Sequence, residues 1–357
     1  MSITVGINAR TFTIDDPGGA VGVGLSLREA LADRPDIETR LLGSAKLSKQ
    51  FPGADVFSFM YGNSSQVYGL LWEQLILPQF GTEGLDVVFC PIGNGPIREI
   101  DTPVVLYIHD VSAALGHSSS LRFYKKLFVP WAANAADAVV TVSEFSKKEI
   151  LEVYDLPREK IHVVHNGLKP LYLSDESGDA VETPERYVLY VGQMNPRKNV
   201  AGLVKGFREF NARSDETYKL VLVGPENRLI FENLTIDDDD DIVQMGYLTD
   251  QELKYVYDEA DAFLFPSLHE GFGLPPLEAM ARGVPVVASR AGALPEVLGD
   301  FPTYVDPNDE GSIAEGLASV LLDDVPEDRR MDAKAHAREF TWEKAADELC
   351  AVFEDVI

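Results

Sequence analysis

Cysteine is nearly missing from this chain: Cys90 and Cys350 are the only two in 357 residues. That is too few for a disulfide framework or a thiolate metal cluster, and both read as buried, reduced thiols. No apolar run reaches the roughly 18 residues that a bilayer crossing needs. The opening stretch, MSITVGINAR, has no basic leader and no cleavage signal and reads directly as a strand, so a soluble, cytoplasmic protein is expected. Walker A, G-x-S-x-G, H-E-x-x-H and paired C-x-x-C patterns are all absent. Basic charge is scarce as well, with 31 Lys and Arg against 58 Asp and Glu and a net charge of −27. A field of that sign repels nucleic acid and anionic membrane surfaces, and no nucleic-acid partner is expected. At molar ionic strength screening shrinks self-repulsion to about 3 Å, and the same charge keeps a protein in solution. The composition therefore predicts a halophilic, high-salt cytoplasm, the alternative being an ordinary acidic protein.

What the chain has is two successive sets of short β-rich apolar runs alternating with helical stretches. The first set is ITVGI, VVFC, VVLYI, AVVTV and IHVVH; the second is YVLYVG, KLVLVG, DIVQMG, AFLFP and PVVAS. Runs apolar at nearly every position suit strands covered on both faces, and strands alternating with helices indicate parallel sheets. Between the sets lies SDESGDAVETPE, acidic and carrying Gly and Pro, the composition of a linker. The expected organisation is an α/β chain of two Rossmann-like, doubly wound domains. They are 1–173, a linker at 174–185, and 186–340. An amphipathic helix at 341–357 follows, free to pack across the domain boundary.

In open parallel sheets ligands bind beyond the carboxyl ends of the strands. The polar residues fall there: His109-Asp110 after VVLYI, Ser143-Glu144 after AVVTV, QMNPRKN after YVLYVG, PEN after KLVLVG, and SLHEGFG after AFLFP. Two such sheets facing one another would form an interdomain cleft.

Three stretches suit an anion. DDPGGAVGVG, residues 15–24, lies where the first strand passes into the first helix, and its glycines let backbone approach a phosphate; a plain flexible loop is the competing reading. GQMNPRKN, residues 192–199, sets Arg197 and Lys198 side by side after a buried strand, as a diphosphate requires, or else as a solvated pair capping nearby carbonyls. In HEGFGLPPLE, Pro275 and Pro276 suit a first helical turn, which puts Glu278 in a helix and Glu270 in the loop before it. The two carboxylates then flank glycine amides, holding hydroxyls around an anion or simply capping the helix. The acidic run 237–241 reads as a solvated loop, not a metal site.

With those residues placed, the chain resembles the GT-B-fold retaining glycosyltransferases of family 4, the group 1 glycosyltransferases, over nearly its whole length. YVGQMNPRKN matches the family's RKN element and PSLHEGFGLPPLEAMARGVPVVAS its E-x7-E block; IHD, VVTVSEFSKKEI and VVHNG are similar to the mannosyltransferase-like branch. The resemblance implies a GT-B fold and a nucleotide-sugar donor bound mainly by the second half. Arg197 and Lys198 would neutralise the diphosphate, Glu270 would contact the transferred hexose and Glu278 the ribose. Gly271, Phe272, Gly273 and Leu274 would line the donor, with Gly192 and Asn199 beside the cations and Gly246, Tyr247 and Leu248 passing the base. His109 would reach the sugar, and Gly19 or Gly22 the diphosphate. The loop GGAVGVGLSL is longer than the family's usual Gly-rich turn and leaves open which glycine does so. The family's front-face mechanism implies no enzyme nucleophile, no metal and no tightly bound cofactor.

The expected reaction is transfer of a mannose- or glucose-like hexose to a glycan or lipid-linked acceptor. A nucleotide-sugar epimerase of the same fold and a non-catalytic sugar-binding protein are the alternatives. RFYKKLFVPWAANAA, residues 122–136, mixes cations with aromatics and suggests peripheral contact with the cytoplasmic membrane face, against the reading of an ordinary amphipathic helix.

Overall fold

The computed structural model describes residues 2–12, 19–58, 66–111, 120–225, 236, 239–323 and 325–357, without the side chains of 66–68 and 120–127. The chain forms two compact units, Met1–Gly167 with Trp342–Ile357, and Leu168–Thr341. The first holds β1 (Ile3–Asn8), β2 (Ile37–Gly43), β3 (Asp55–Ser58), β4 (Val87–Cys90), β5 (Val104–Tyr107), β6 (Ala138–Thr141) and β7 (Ile161–Val163). The second holds β8 (Tyr187–Val191), β9 (Lys219–Val223), β10 (Ile242–Gly246), β11 (Ala262–Phe265), β12 (Val286–Ser289) and β13 (Thr303–Val305).

Both sheets are parallel and doubly wound. The first runs β3-β2-β1-β4-β5-β6-β7 and the second β10-β9-β8-β11-β12-β13. The central strands are those apolar at every position. All residues of β4, β5, β8 and β11 are buried, with helices available to cover both faces. Each fully buried Val, Leu or Phe there stabilises the fold by about 1.5–3 kcal/mol relative to exposure. β2, β3 and β13, unforeseen from the sequence, lie at or next to sheet edges, where IETRLLG and DVFS keep polar residues in water.

Helix starts follow local chemistry. Ser143 accepts from the Ser146 amide at 3.0 Å to cap Glu144–Val153. Thr249 and Glu252 form a reciprocal capping box at the head of Asp250–Asp258. The final helix, Trp342–Val356, belongs to the first unit: Phe353 packs edge-on against Phe89 of β4 at 5.7 Å, and Asp347 pairs with Arg34.

Residues 174–185 carry no helix or strand, yet they lie within the second unit, which begins at Leu168. Lys254 Nζ donates to Ser174 Oγ at 2.9 Å, Arg282 donates to the Ser174 carbonyl, and Asp175 meets Arg338 at 2.5 Å and Lys334 at 3.4 Å. A linker's composition does not reveal that such charges pin the segment down.

Candidate functional site

In the second sheet the chain reverses its winding between β8 and β11, which are direct neighbours. Their carboxyl ends therefore open the crevice where a doubly wound sheet binds ligands. After β8, a turn at Pro196–Lys198 is set by Asn195, whose side chain accepts from the Arg197 and Lys198 amides at 3.1 and 3.3 Å. Lys198 Nζ reaches Glu270 Oε1 at 2.6 Å and lies 4.9 Å from the ring centroid of Phe265, the last residue of β11. The two loops are also joined along the backbone, where the Leu268 amide donates to the Arg197 carbonyl at 2.7 Å. Arg197 itself is exposed.

Asn199 takes the left-handed conformation (φ 54°) and spends its side chain on structure. It donates to the Pro266 and Pro307 carbonyls at 3.1 and 2.6 Å and caps Val200–Arg213 by accepting from the Gly202 amide. Asn199 thus ties three loops together, directly beside Lys198.

Glu270 is buried in the loop after β11, and its carbonyl accepts from the Ala293 amide at 2.9 Å. Gly292 makes that approach possible. It has φ 62°, and a Cβ there would sit 2.1 Å from the Glu270 carbonyl oxygen. The sequence reading missed Gly292, although a glycine shortly after a buried strand was a usable signal. Glu278 lies, as expected, in the helix Leu274–Ala281, whose first turn carries the two prolines and whose N-cap, Gly273, has φ 102°. The carboxylates are separated into loop and helix.

Glu278 is partly exposed, and Tyr257 donates to its Oε2 at 2.9 Å. Burial of its surroundings pushes the carboxyl up to about 7; the Tyr257 hydrogen bond and Lys169 pull it down, and Asp250 pushes it up. Tyr257 sits 21 positions earlier in another helix, and no sequence spacing pointed to it.

The other expected residues divide. Gly192 follows β8, and its amide donates to Val223 at 3.0 Å; Gly224 beside it donates to Gly246 at 2.9 Å, aligning the ends of β8, β9 and β10. Tyr247 is largely exposed there and Leu248 partly so. Gly271 and Leu274 are partly exposed around the buried Gly273. Phe272 turns its ring into the interior, edge-on to Phe340 at 6.0 Å, so it packs the loop.

In the first unit His109 follows β5, donates from Nε2 to the Pro91 carbonyl at 2.7 Å and meets the Tyr107 ring edge-on at 4.4 Å. Those contacts order the strand end. Gly19 and Gly22 lie in the helix Gly19–Ala32 and not in a loop, with open space around both among the described residues. Residues 15–18 of that stretch, Glu226 and Asn227 of PEN, Asp237 and Asp238 of the acidic run, and the side chains of 122–127 lie outside the described residues. In the acidic run Asp239 pairs with Arg208 at 2.7 Å and Asp241 with Lys219 at 2.9 Å. Trp131 is half exposed, edge-on to Phe128 at 5.9 Å. Among the described residues no helix is long and apolar enough to cross a membrane, and no group of three His, Cys, Asp or Glu could hold a metal.

A cavity of about 500 Å³ opens at the other end of the second sheet, against Arg186, Asp258, Arg282 and Lys334. Its cations are already paired, Arg186 with Glu216, Arg282 with Asp258 and Lys334 with Asp175. The crevice at β8 and β11, with its charged pair, is the stronger candidate.

Comparison with known families bears on both units. Residues 17–170 match the model for "Glycosyltransferase Family 4" and residues 176–340 that for "Glycosyl transferases group 1". The chain belongs to the glycosyltransferases of these two families. Within them it is 33% identical over 222 residues to the O-antigen chain mannosyltransferase B of Escherichia coli, covering 59% of this chain and 58% of that one. It is 34% identical over 230 residues to the MMP alpha-(1->4)-mannosyltransferase of Mycolicibacterium hassiacum, covering 61% of this chain and 54% of that one. The chain thus spans little more than half the length of these curated relatives. An Anabaena protein solved in complex with UDP and glucose superimposes with a TM-score of 0.72 at 17% identity, covering 99% of this chain and 100% of that one. That likeness and the two parallel sheets establish the GT-B fold of this glycosyltransferase-family chain.

Proposed function

We propose that the protein is a retaining hexosyltransferase that moves a mannose- or glucose-like sugar from a nucleoside-diphosphate donor to a glycan or lipid-linked acceptor. The observation that carries this reading is the Lys198–Glu270 pair at the switch point of the second sheet, with Arg197 beside it. At a strand end the cation is a ready counter-ion for a diphosphate, and the carboxylate that holds it is a ready acceptor for sugar hydroxyls. Mannose leads because the two relatives above carry that name.

Arg197 and Lys198 neutralise the diphosphate and the charge that develops on the leaving nucleotide. Glu270 accepts from hydroxyls of the hexose, and Glu278 from the ribose. The backbone at Gly271–Gly273 borders the phosphates, and Gly246, Tyr247 and Leu248 border the base. The acceptor hydroxyl attacks the anomeric carbon on the face the phosphate is leaving. The sugar–phosphate bond breaks, the new glycosidic bond forms, and the acceptor proton passes to a phosphate oxygen. The reaction so written calls on no enzyme nucleophile, metal or tightly bound cofactor. The acidic surface fits work in a cytoplasm of high salt, at the membrane face where the acceptor is lipid-linked.

The test is a panel of GDP- and UDP-sugars at molar KCl, scored by thermal shift and slow donor hydrolysis. Stabilisation and turnover by one donor is expected. No response to any donor, or epimer formation without acceptor, contradicts the reading.

A further inference from the structure

Tyr257 has no part in the transfer as written, yet it is tied to one of its carboxylates. Its hydroxyl lies 2.9 Å from Glu278 Oε2 and 3.4 Å from the Pro275 carbonyl. A phenol has one proton, and the shorter contact to a carboxylate takes it. The ring is wholly buried on the helix Asp250–Asp258, with Tyr172 edge-on at 5.8 Å and Phe263 at 5.8 Å, so the hydroxyl cannot swing away. Burial also holds the phenol protonated far beyond neutral pH, which keeps it a donor. Glu278 Oε1, by contrast, has no hydrogen-bond partner among the described residues and is not sealed in. One oxygen is anchored from inside the unit and the other is left for a ligand.

We propose that Tyr257 is a positioning residue for nucleotide recognition, fixing Glu278 through one carboxylate oxygen so that the other accepts from the ribose hydroxyls of the bound nucleoside diphosphate. This rests on the donor reading above. Tyr257 never touches the donor. It sets the rotamer of Glu278 and favours the ionised carboxylate, the form that accepts from both hydroxyls of a diol. The groups that act electrically on Glu278 are Tyr257, Lys169 and Asp250, with the buried Tyr172 interacting with its charge as well, and Lys169 is itself paired with Asp250 at 2.7 Å.

The test is calorimetric titration of GDP, UDP and their 2′-deoxy counterparts into wild type, Tyr257→Phe and Glu278→Gln across a range of pH. Wild type should prefer the ribonucleotide by about tenfold, the worth of a hydrogen bond to a charged group. Tyr257→Phe keeps the ring and should lose most of that preference while binding the deoxynucleotide as before, which also shows that its site is folded. In wild type the preference should grow as pH rises through about 7. In Tyr257→Phe the midpoint should move upward, because a hydrogen bond favouring the ionised form is gone. A purely structural tyrosine would move neither. If Glu278→Gln abolishes the preference and Tyr257→Phe retains it at an unmoved midpoint, the role of Tyr257 is overturned and the ribose assignment stands. If Glu278→Gln retains the preference, the ribose assignment falls and the role of Tyr257 with it. If neither nucleoside diphosphate binds wild type, the donor reading falls first.

Discussion

Lys198 Nζ stands 2.6 Å from Glu270 Oε1, joining the loops that follow two adjacent strands. The side chains are only 19% and 10% exposed, so water competes weakly for either charge. Each is the other's counter-ion, and a bound diphosphate would have to share the lysine. The pair is therefore a structural tie, and in the proposed reaction it is also where the donor would meet the protein.

Removing one partner leaves the other charged and poorly solvated. Lys198→Ala should destabilise the second unit by about 1–3 kcal/mol. Glu270→Gln, which keeps an acceptor for the ammonium, should lose less. Denaturant melts of the two variants check the order, and equal losses would show that the carboxylate charge is not what the lysine holds.

Gly292 supports Glu270 from below. Gly292→Ala puts a Cβ into the Glu270 carbonyl at a backbone angle that alanine avoids. A loss of more than about 1 kcal/mol is expected, with weakened donor affinity as the loop shifts. A melting curve and a donor titration on the same sample test it; a variant indistinguishable from wild type in both would contradict the packing described.

Glu278 gives the fold a pH dependence of known sign. Its ordinary value is 4.5, and burial lifts it to about 7 in the folded chain. Below 4.5 the group is protonated folded or unfolded; between the two values only the folded chain keeps the proton. Its contribution to stability is thus full below 4.5 and is lost as pH rises to about 7. Wild type should lose melting temperature relative to Glu278→Gln across that window. Parallel pH profiles for the two proteins would contradict the shift.

The sequence revealed strands where every position is apolar, and the separation of Glu270 from Glu278 followed from Pro275 and Pro276 alone. Strands β2 and β13 escaped because a strand near a sheet edge can leave polar side chains in water. Asn199 and Phe272 were read with their neighbours as ligand contacts, since a motif gives spacing and not direction. One turns to two carbonyls and the other to Phe340. Tyr257 was invisible because its tie to Glu278 crosses between helices.

Salt dependence follows from the net charge of −27. The Debye length falls from about 10 Å at about 0.1 M to about 3 Å at about 1 M, and self-repulsion falls with it. Melting temperature and donor turnover should both rise on moving from dilute buffer to molar KCl. Full stability and activity in dilute buffer would contradict a high-salt origin for the charge.

The most direct measurement is steady-state turnover of the accepted donor by wild type, Arg197→Ala and Lys198→Ala, with melting curves to confirm folding. If these cations carry the diphosphate and its developing charge, kcat/KM falls at least about a hundredfold in each variant. Wild-type turnover in both would contradict the assignment of the diphosphate to this pair.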